Sequence, residues 1–291
     1  IKPDIVAPGA YINTTQNNAS YNFTSGTSFA APHVSGAAAL LLQKNPELQN
    51  YEIKSLLLTT VQPVLDAYGQ EFSLHESGSG RLDIGNAYNA KLIINPPNFV
   101  INLSANQPTI EKQLEIKLIE GKLGEINVRF EGPKFIEFTH NIEKNNLEIE
   151  LSIVEEKYGD YEGKIFINHE KIQYTIPVII HHTEGSISVN QENEKLFFEI
   201  DHPDKWSFVK ITIINSKNGN TDTVTTTPDK EASLEIYENG EYWIDAKIKV
   251  NGNTSDAFNT IKINSLSEKI EKLELRDIPE KQIILIVSII V

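Results

Sequence analysis

A serine in a setting suited to acyl transfer lies near the start of the chain. Ser28 belongs to the segment Gly26–Gly36, Gly-Thr-Ser-Phe-Ala-Ala-Pro-His-Val-Ser-Gly, and an alanine- and leucine-rich run follows. This pattern predicts a closely packed helix that begins at or just before Ser28. A hydroxyl at a helix start is exposed beside free backbone N–H groups, and acyl transfer needs such a nucleophile and such oxyanion donors. Serine is more often an N-cap at such a position, so spacing alone leaves both roles open.

Two further motifs flank this serine. Residues 2–9 read Lys-Pro-Asp-Ile-Val-Ala-Pro-Gly, and residues 78–83 read Gly-Ser-Gly-Arg-Leu-Asp. Together with the Gly-Thr-Ser segment, in this order and at this spacing, they resemble the catalytic-serine region of subtilisin-like serine proteases (subtilases, peptidase S8). The resemblance covers roughly residues 1–90. One departure is Phe29, which stands where many family members carry methionine.

The resemblance implies a serine-type endopeptidase and gives three residues a role in it. Ser28 is expected to be the nucleophile, and its backbone N–H to donate to the oxyanion. Thr27 is expected to support the oxyanion site, and Gly26 to let the substrate backbone approach closely. The chemistry requires no cofactor. Many subtilases bind structural calcium, but no ligands for it can be assigned in this sequence, so any such site is expected in sequence outside this chain.

The general base of the predicted triad is not evident in the sequence. In the family the order along the chain is Asp, His, Ser, but the 27 residues before Ser28 contain neither of the first two motifs. His33 lies five positions after Ser28, so on one helix it points about 140° away. The triad Asp and His are therefore expected upstream of Ile1, and this chain alone is expected to be inactive. The alternatives are a non-catalytic surface binding or adhesion protein with a subtilase remnant, or a partner to a separately encoded N-terminal half.

The composition of the chain argues against some classes of binding partner. The 291 residues carry a net charge of −14 without a cluster of basic residues, which argues against binding to nucleic acid or anionic lipid. The absence of cysteine excludes disulfides and thiolate metal sites. The subtilase resemblance implies protein or peptide substrates as the partners. The family resemblance predicts an extracellular or cell-surface-anchored protein.

Patterning along the chain predicts an α/β part followed by β-sandwiches. We expect the C-terminal part of a subtilisin-like parallel-sheet domain at 1–94, with helices at Tyr51–Val61, capped by Asn50, and at about Ile84–Lys91, and a loop at 69–80. Alternating apolar runs predict antiparallel sandwiches at 95–184 and 185–265, assigned by analogy to the fibronectin type III or immunoglobulin-like class. Hairpins are expected at Asn218-Gly219 and Asn251-Gly252.

The last part of the chain, 266–291, is predicted to be a linker or stalk that leads into a possible transmembrane anchor. Its final nine residues, Ile283–Val291, are apolar except for Ser288. A spanning helix needs about 20 such residues, so a strand of a last domain is the competing interpretation.

Overall fold

The computed structural model describes residues 2–264, apart from residues 106 and 122. The predicted linker and anchor at 266–291 therefore lie outside the described residues. Within residues 2–91 the structure has an antiparallel hairpin and several helices. The hairpin strands are β1 (Ile12–Gln16) and β2 (Ser20–Thr24), and the helices are α1 (Thr27–Lys44), α2 (Asn50–Thr59), α3 (Leu74–Ser77) and α4 (Ile84–Asn89).

The helix boundaries correct the sequence prediction in detail. Helix α1 begins one residue before Ser28, as expected, but Asn50 is the first residue of α2 and not its cap. The cap is Gln49, whose backbone N–H donates to the Glu52 carboxylate over 2.8 Å in a reciprocal capping box. Helix α3 lies inside the predicted loop at 69–80, and it is too short to leave a periodic pattern. Helix α4 stops before Lys91, because the Lys91 N–H bonds instead to the Tyr174 hydroxyl at 3.0 Å.

The parallel sheet expected for an α/β domain is not found in the described residues before position 92. Their only named strands are β1 and β2, which pair with each other in antiparallel fashion. A single parallel bridge joins Val6 and Arg81. The described chain is thus mostly β-strands in several sheets.

The first β-sandwich consists of two four-stranded sheets, in the orders β3-β5-β8-β7 and β4-β10-β9-β6. The pairing is antiparallel except between β4 and β10, which are parallel. These two strands come from opposite ends of the unit, and a long connection permits parallel pairing. The strands are β3 (Leu92–Asn95), β4 (Phe99–Ser104), β5 (Thr109–Leu118), β6 (Ile126–Glu131), β7 (Ile136–Glu143), β8 (Asn146–Ile153), β9 (Gly159–His169) and β10 (Ile172–Thr183).

The second β-sandwich has sheets in the orders β11-β12-β15 and β14-β13-β16-β17. Both predicted hairpins are confirmed: Asn218-Gly219 turns β13 into β14, and Asn251-Gly252 turns β16 into β17. The strands are β11 (Ser186–Glu192), β12 (Lys195–Asp201), β13 (Trp206–Asn215), β14 (Thr221–Thr226), β15 (Ala232–Glu235), β16 (Gly240–Val250) and β17 (Asn253–Ile263).

The buried apolar side chains form two clusters, and the first crosses from the helices into the sandwich. It runs from Ala37 and Leu41 on α1, through the leucines of α2, to Ile180 on β10. The second cluster is confined to the second sandwich, from Ile187 to Ile263. The predicted domain limit between residues 94 and 95 falls within β3, which pairs with β5. The serine-bearing segment and the first sandwich therefore share one core.

Two buried polar contacts reinforce this shared core. The Ser55 hydroxyl donates to the Ile94 carbonyl at 2.7 Å and accepts from the Ile94 N–H at 3.1 Å. The Glu52 carboxylate is 1% exposed and bonds to the Lys117 ammonium, which is half-exposed on β5. Burial raises the pKa of Glu52, but the Lys117 hydrogen bond and charge and the Gln49 N–H together lower that pKa below its usual range.

Removing the cation of this pair is expected to cost more stability than removing the acid. Lys117→Met leaves the Glu52 carboxylate without its cation and is expected to lower the free energy of unfolding at pH 7 more than Glu52→Gln does. Glu52→Gln releases Lys117 to water and is expected to cost about 1–2 kcal/mol. A double-mutant cycle by denaturant unfolding measures the coupling. Equal single-mutant losses with no coupling energy would contradict the expectation.

The same pair predicts the direction of a pH effect on stability. The pKa of Glu52 is lower in the folded state than in the unfolded state, so the ionised carboxylate stabilises the folded protein fully above the unfolded pKa of about 4.3. This stabilisation is lost as the pH falls through the folded pKa. The difference in stability between the wild type and Lys117→Met should therefore shrink on acidification. Unfolding curves at pH 7 and pH 3.5 make this comparison.

Candidate functional site

Ser28 is the second residue of α1, and its side chain is exposed. Gly26 is the N-cap, so Ser28 is not the capping serine that is the common alternative at such positions. Its hydroxyl makes no hydrogen bond to any residue that the structure describes. As residues of the first helical turn, Thr27 and Ser28 present backbone N–H groups without intrahelical acceptors. The start of α1 thus combines a reachable hydroxyl with unpaired donors.

A close backbone contact fixes the residue that precedes this turn. The Gly26 N–H donates to the Gly9 carbonyl at 2.7 Å. A Cβ at Gly9 would lie 2.9 Å from the Gly26 oxygen and 3.2 Å from the Ala30 Cβ, so the fit requires glycine at position 9. Gly26 itself has an extended φ of 162°, and a Cβ there would meet only Phe29 at 3.6 Å. Its predicted contact with a substrate backbone stays a prediction.

The third motif packs on the other side of the Lys2–Gly9 segment. The Ser79 N–H donates to the Asp4 carbonyl at 3.0 Å, and the Val6 N–H donates to the Gly80 carbonyl at 3.0 Å. Gly78 has a φ of 59°, and a Cβ there would lie 2.3 Å from the Pro3 carbonyl oxygen. The structure therefore brings all three sequence motifs into one backbone arrangement that ends at the start of α1.

No described side chain is placed as a general base for Ser28. The His33 Nδ1–H donates to the Phe29 carbonyl at 2.8 Å, a bond within the helix. Asp4 is bound instead by Lys2 at 2.7 Å and lies 3.5 Å from Lys54. Burial raises the pKa of Asp4, but hydrogen bonding and charge from both lysines lower it overall. Both residues thus have local structural partners.

The hairpin β1–β2 is a feature that the sequence interpretation missed. Exposed aromatic side chains lie just before it at Tyr11 and on β2 at Tyr21 and Phe23, and β2 ends four residues before Ser28. The Tyr11 N–H donates to the Ser25 hydroxyl at 2.9 Å, which ties the hairpin to the segment leading into α1. Alternation of aromatic and polar residues over 20–24, after an Asn-Asn turn, was the available signal.

The described residues contain neither a cluster of metal ligands nor a membrane-spanning helix. In residues 2–264, outside 106 and 122, no cluster of three or more His, Asp or Glu side chains could hold a metal ion. Within the same part of the chain, no helix combines the length and apolarity that a bilayer crossing needs.

The β-rich part has distant likenesses among solved structures. Domains A168–A170 of titin match with a TM-score of 0.24 and 6% sequence identity, covering 58% of this chain and 62% of the titin chain. A two-domain fibronectin type III segment of chicken tenascin matches with a TM-score of 0.24 and 12% identity, covering 52% of this chain and 91% of that one.

The N-terminal part has clear sequence relatives. The family model of the subtilase family matches residues 1–80. The minor extracellular protease Vpr of Bacillus subtilis is 27% identical over 57% of this chain and 23% of its own length. Subtilisin BL of Lederbergia lenta is 49% identical over 20% of this chain and 21% of its length, and the subtilisin-like protease SBT1.6 of Arabidopsis thaliana is 34% identical over 34% and 16%.

These matches agree with the motifs and with their arrangement around Ser28. The chain spans less than a quarter of the length of each of these three relatives. Residues 1–80 thus match the subtilase family, and the family model together with these relatives supports a subtilase fragment in the N-terminal part of the chain.

Proposed function

We propose that the protein is a subtilisin-like serine endopeptidase in which Ser28 attacks the scissile peptide carbonyl. The observation that carries the proposal is the convergence of three family motifs on the exposed Ser28 hydroxyl at the first turn of α1. A histidine takes the hydroxyl proton and later returns it to the leaving amine, while an aspartate orients that histidine. Both groups come from residues outside the described part of the chain.

The first turn of α1 supplies the remaining part of the proposed site. The oxyanion that forms on attack accepts a hydrogen bond from the Ser28 N–H, and Thr27 supports that position. Gly26 is exposed and carries no side chain, so an extended substrate can lie alongside the N-cap. This donor is already held by the helix before substrate binds, which is the arrangement that stabilises developing charge most effectively.

The remaining assignments follow from the proposed protease. We assign helices α1–α4 to one layer of an α/β domain. The parallel sheet of that domain would consist of residues other than those described. The two sandwiches are assigned to the fibronectin type III or immunoglobulin-like class, where they act as spacers or bind substrate. An extracellular location is supported by the name of the extracellular relative Vpr, and anchoring at the cell surface is a further part of the proposal.

A fluorophosphonate probe tests the nucleophile. In a protein that joins this chain to the subtilase segment bearing the triad aspartate and histidine, the probe is expected to modify Ser28, as detected by peptide mass spectrometry. The 291-residue chain alone is expected to react at background rate, because no described residue serves as its base. Heat-denatured protein is the control for non-specific labelling.

The possible outcomes separate the candidates. Labelling of the isolated chain at Ser28 would contradict the assignment of the base to other residues. Failure of the complete protein to react would reject the protease and favour the alternative, a surface binding or adhesion protein with a subtilase remnant.

A further inference from the structure

We propose that the first β-sandwich positions the Ser28 turn, and that Glu162 on β9 is the positioning residue through which it acts. Glu162 lies far from Ser28 along the chain and is in no subtilase motif. A continuous series of hydrogen bonds and close contacts nevertheless leads from its carboxylate to the start of α1. This inference rests on the proposed function, since it concerns the reactivity of the proposed nucleophile.

The series begins where β9 meets the segment before the third motif. The Glu162 carboxylate accepts the Leu74 N–H, the first of α3, at 2.9 Å. Two residues further along the same strand, the Lys164 ammonium pairs with the Glu71 carboxylate, and the Lys164 side chain is only 16% exposed. Side chains two apart on a strand share one face, so this face of β9 holds the 71–74 segment at two points.

From α3 the contacts pass into the third motif. The Gly78 N–H donates to the Leu74 carbonyl at 3.0 Å, so the same residue that Glu162 holds also ends the helix. Gly78 then lies against Pro3 with no room for a side chain, and the next residue donates its N–H to the Asp4 carbonyl. A displacement of α3 would therefore also displace Pro3 and Asp4.

The last step leads to the nucleophile. Val6 is held by the Gly80 carbonyl, and three residues later the Gly9 carbonyl accepts the Gly26 N–H at 2.7 Å. Gly26 is the N-cap of the helix on which Ser28 is the second residue. The tight Gly9–Gly26 approach leaves little freedom at this joint. A small displacement there changes the position of the hydroxyl and of the N–H groups beside it, and reaction rates are sensitive to such displacements.

Hydrogen exchange tests the positioning without relying on catalysis. Glu162→Ala is expected to accelerate exchange of the Ser79, Val6 and Gly26 amide hydrogens by roughly three- to tenfold, while amides of β13 and β16 in the second sandwich stay unchanged. Glu162→Gln retains an acceptor and should restore most of the protection. The matched control is Glu148→Ala, because Glu148 is an exposed glutamate on β8, in the opposite sheet.

Reactivity is then measured in the complete protein at a temperature where every variant is folded. The rate of Ser28 modification by a fluorophosphonate is expected to fall roughly tenfold in Glu162→Ala, to recover in Glu162→Gln and to be unchanged in Glu148→Ala. Unchanged exchange and unchanged reactivity in Glu162→Ala would overturn the positioning role. If the wild type itself does not react, the proposed protease fails, while the exchange result still decides whether Glu162 positions the turn.

Discussion

Ser28→Ala is expected to abolish peptide-bond hydrolysis by the complete protein while leaving its fold intact. The rate should fall by a factor on the order of 10⁶, which is the loss known for the equivalent change in subtilisin. The physical reason is that alanine at this position has no hydroxyl that could attack the peptide carbonyl. Stability should change by less than about 0.5 kcal/mol, because the Ser28 side chain is exposed and makes no hydrogen bond to the described residues.

Ser35→Ala is the matched control for this experiment. Ser35 lies on the same helix, is also exposed, and its hydroxyl bonds only to the Ala31 carbonyl at 3.3 Å. Hydrolysis of a peptide substrate should therefore be the same for Ser35→Ala and the wild type. Retention of more than a few per cent of activity by Ser28→Ala would show that the nucleophile lies elsewhere.

Gly78→Ala is expected to cause the largest loss of stability among single-methyl changes in the serine-bearing segment. Its φ of 59° and ψ of −137° lie in a region that is nearly confined to glycine, which costs an alanine about 1–3 kcal/mol. The added Cβ would also lie 2.3 Å from the Pro3 oxygen and 2.7 Å from the Asp4 carbonyl carbon, which are backbone atoms that cannot rotate away. The total loss should be about 3–5 kcal/mol, in the range that marks steric conflict in a packed site.

Gly69→Ala separates the two contributions. Gly69 also has a positive φ, of 80°, but a Cβ there would have no neighbour within 4 Å. Its loss should therefore be only about 1 kcal/mol, the conformational part alone. Similar losses for the two variants would mean that the contact with Pro3 and Asp4 does not hold the motif in place.

The distribution of tryptophan supplies an internal reference for these measurements. Both tryptophans, Trp206 and Trp243, belong to the second sandwich. Tryptophan fluorescence therefore follows that unit, whereas hydrogen exchange in α2 and β10 follows the shared first core. Gly78→Ala should lower protection in the first core and leave the fluorescence transition unchanged.

The sequence alone predicted those features in which individual residues restrict the backbone conformation. The glycines of the motifs and the Asn-Gly turns allow few backbone conformations, and alternating strands such as β5 and β16 show a clear period of two. Strand β7 shows no clear period of two, because it is an edge strand in which exposed polar residues dilute the apolar pattern. Strand β3 has only four residues, which is too short for a periodic pattern.

The arrangement of the three motifs around Ser28 could be found only from the structure. Local patterns located the helix start and identified the motifs, but they contained no information on which motif lies against which. The Glu162 bond to Leu74 spans 88 positions, and the Ser55 bonds to Ile94 span 39. Contacts between such distant positions depend on packing, so they leave no periodic trace in a single sequence.

The shared core also limits how this protein can be recombined with others. An exchange of sequence between residues 94 and 95 would divide β3 and separate α2 from the strands that bury its leucines. An exchange near Glu184-Gly185 would instead pass between the two apolar clusters. Chimaeras that replace only the second sandwich should therefore remain folded, whereas a functional transplant of the serine-bearing segment should include the first sandwich.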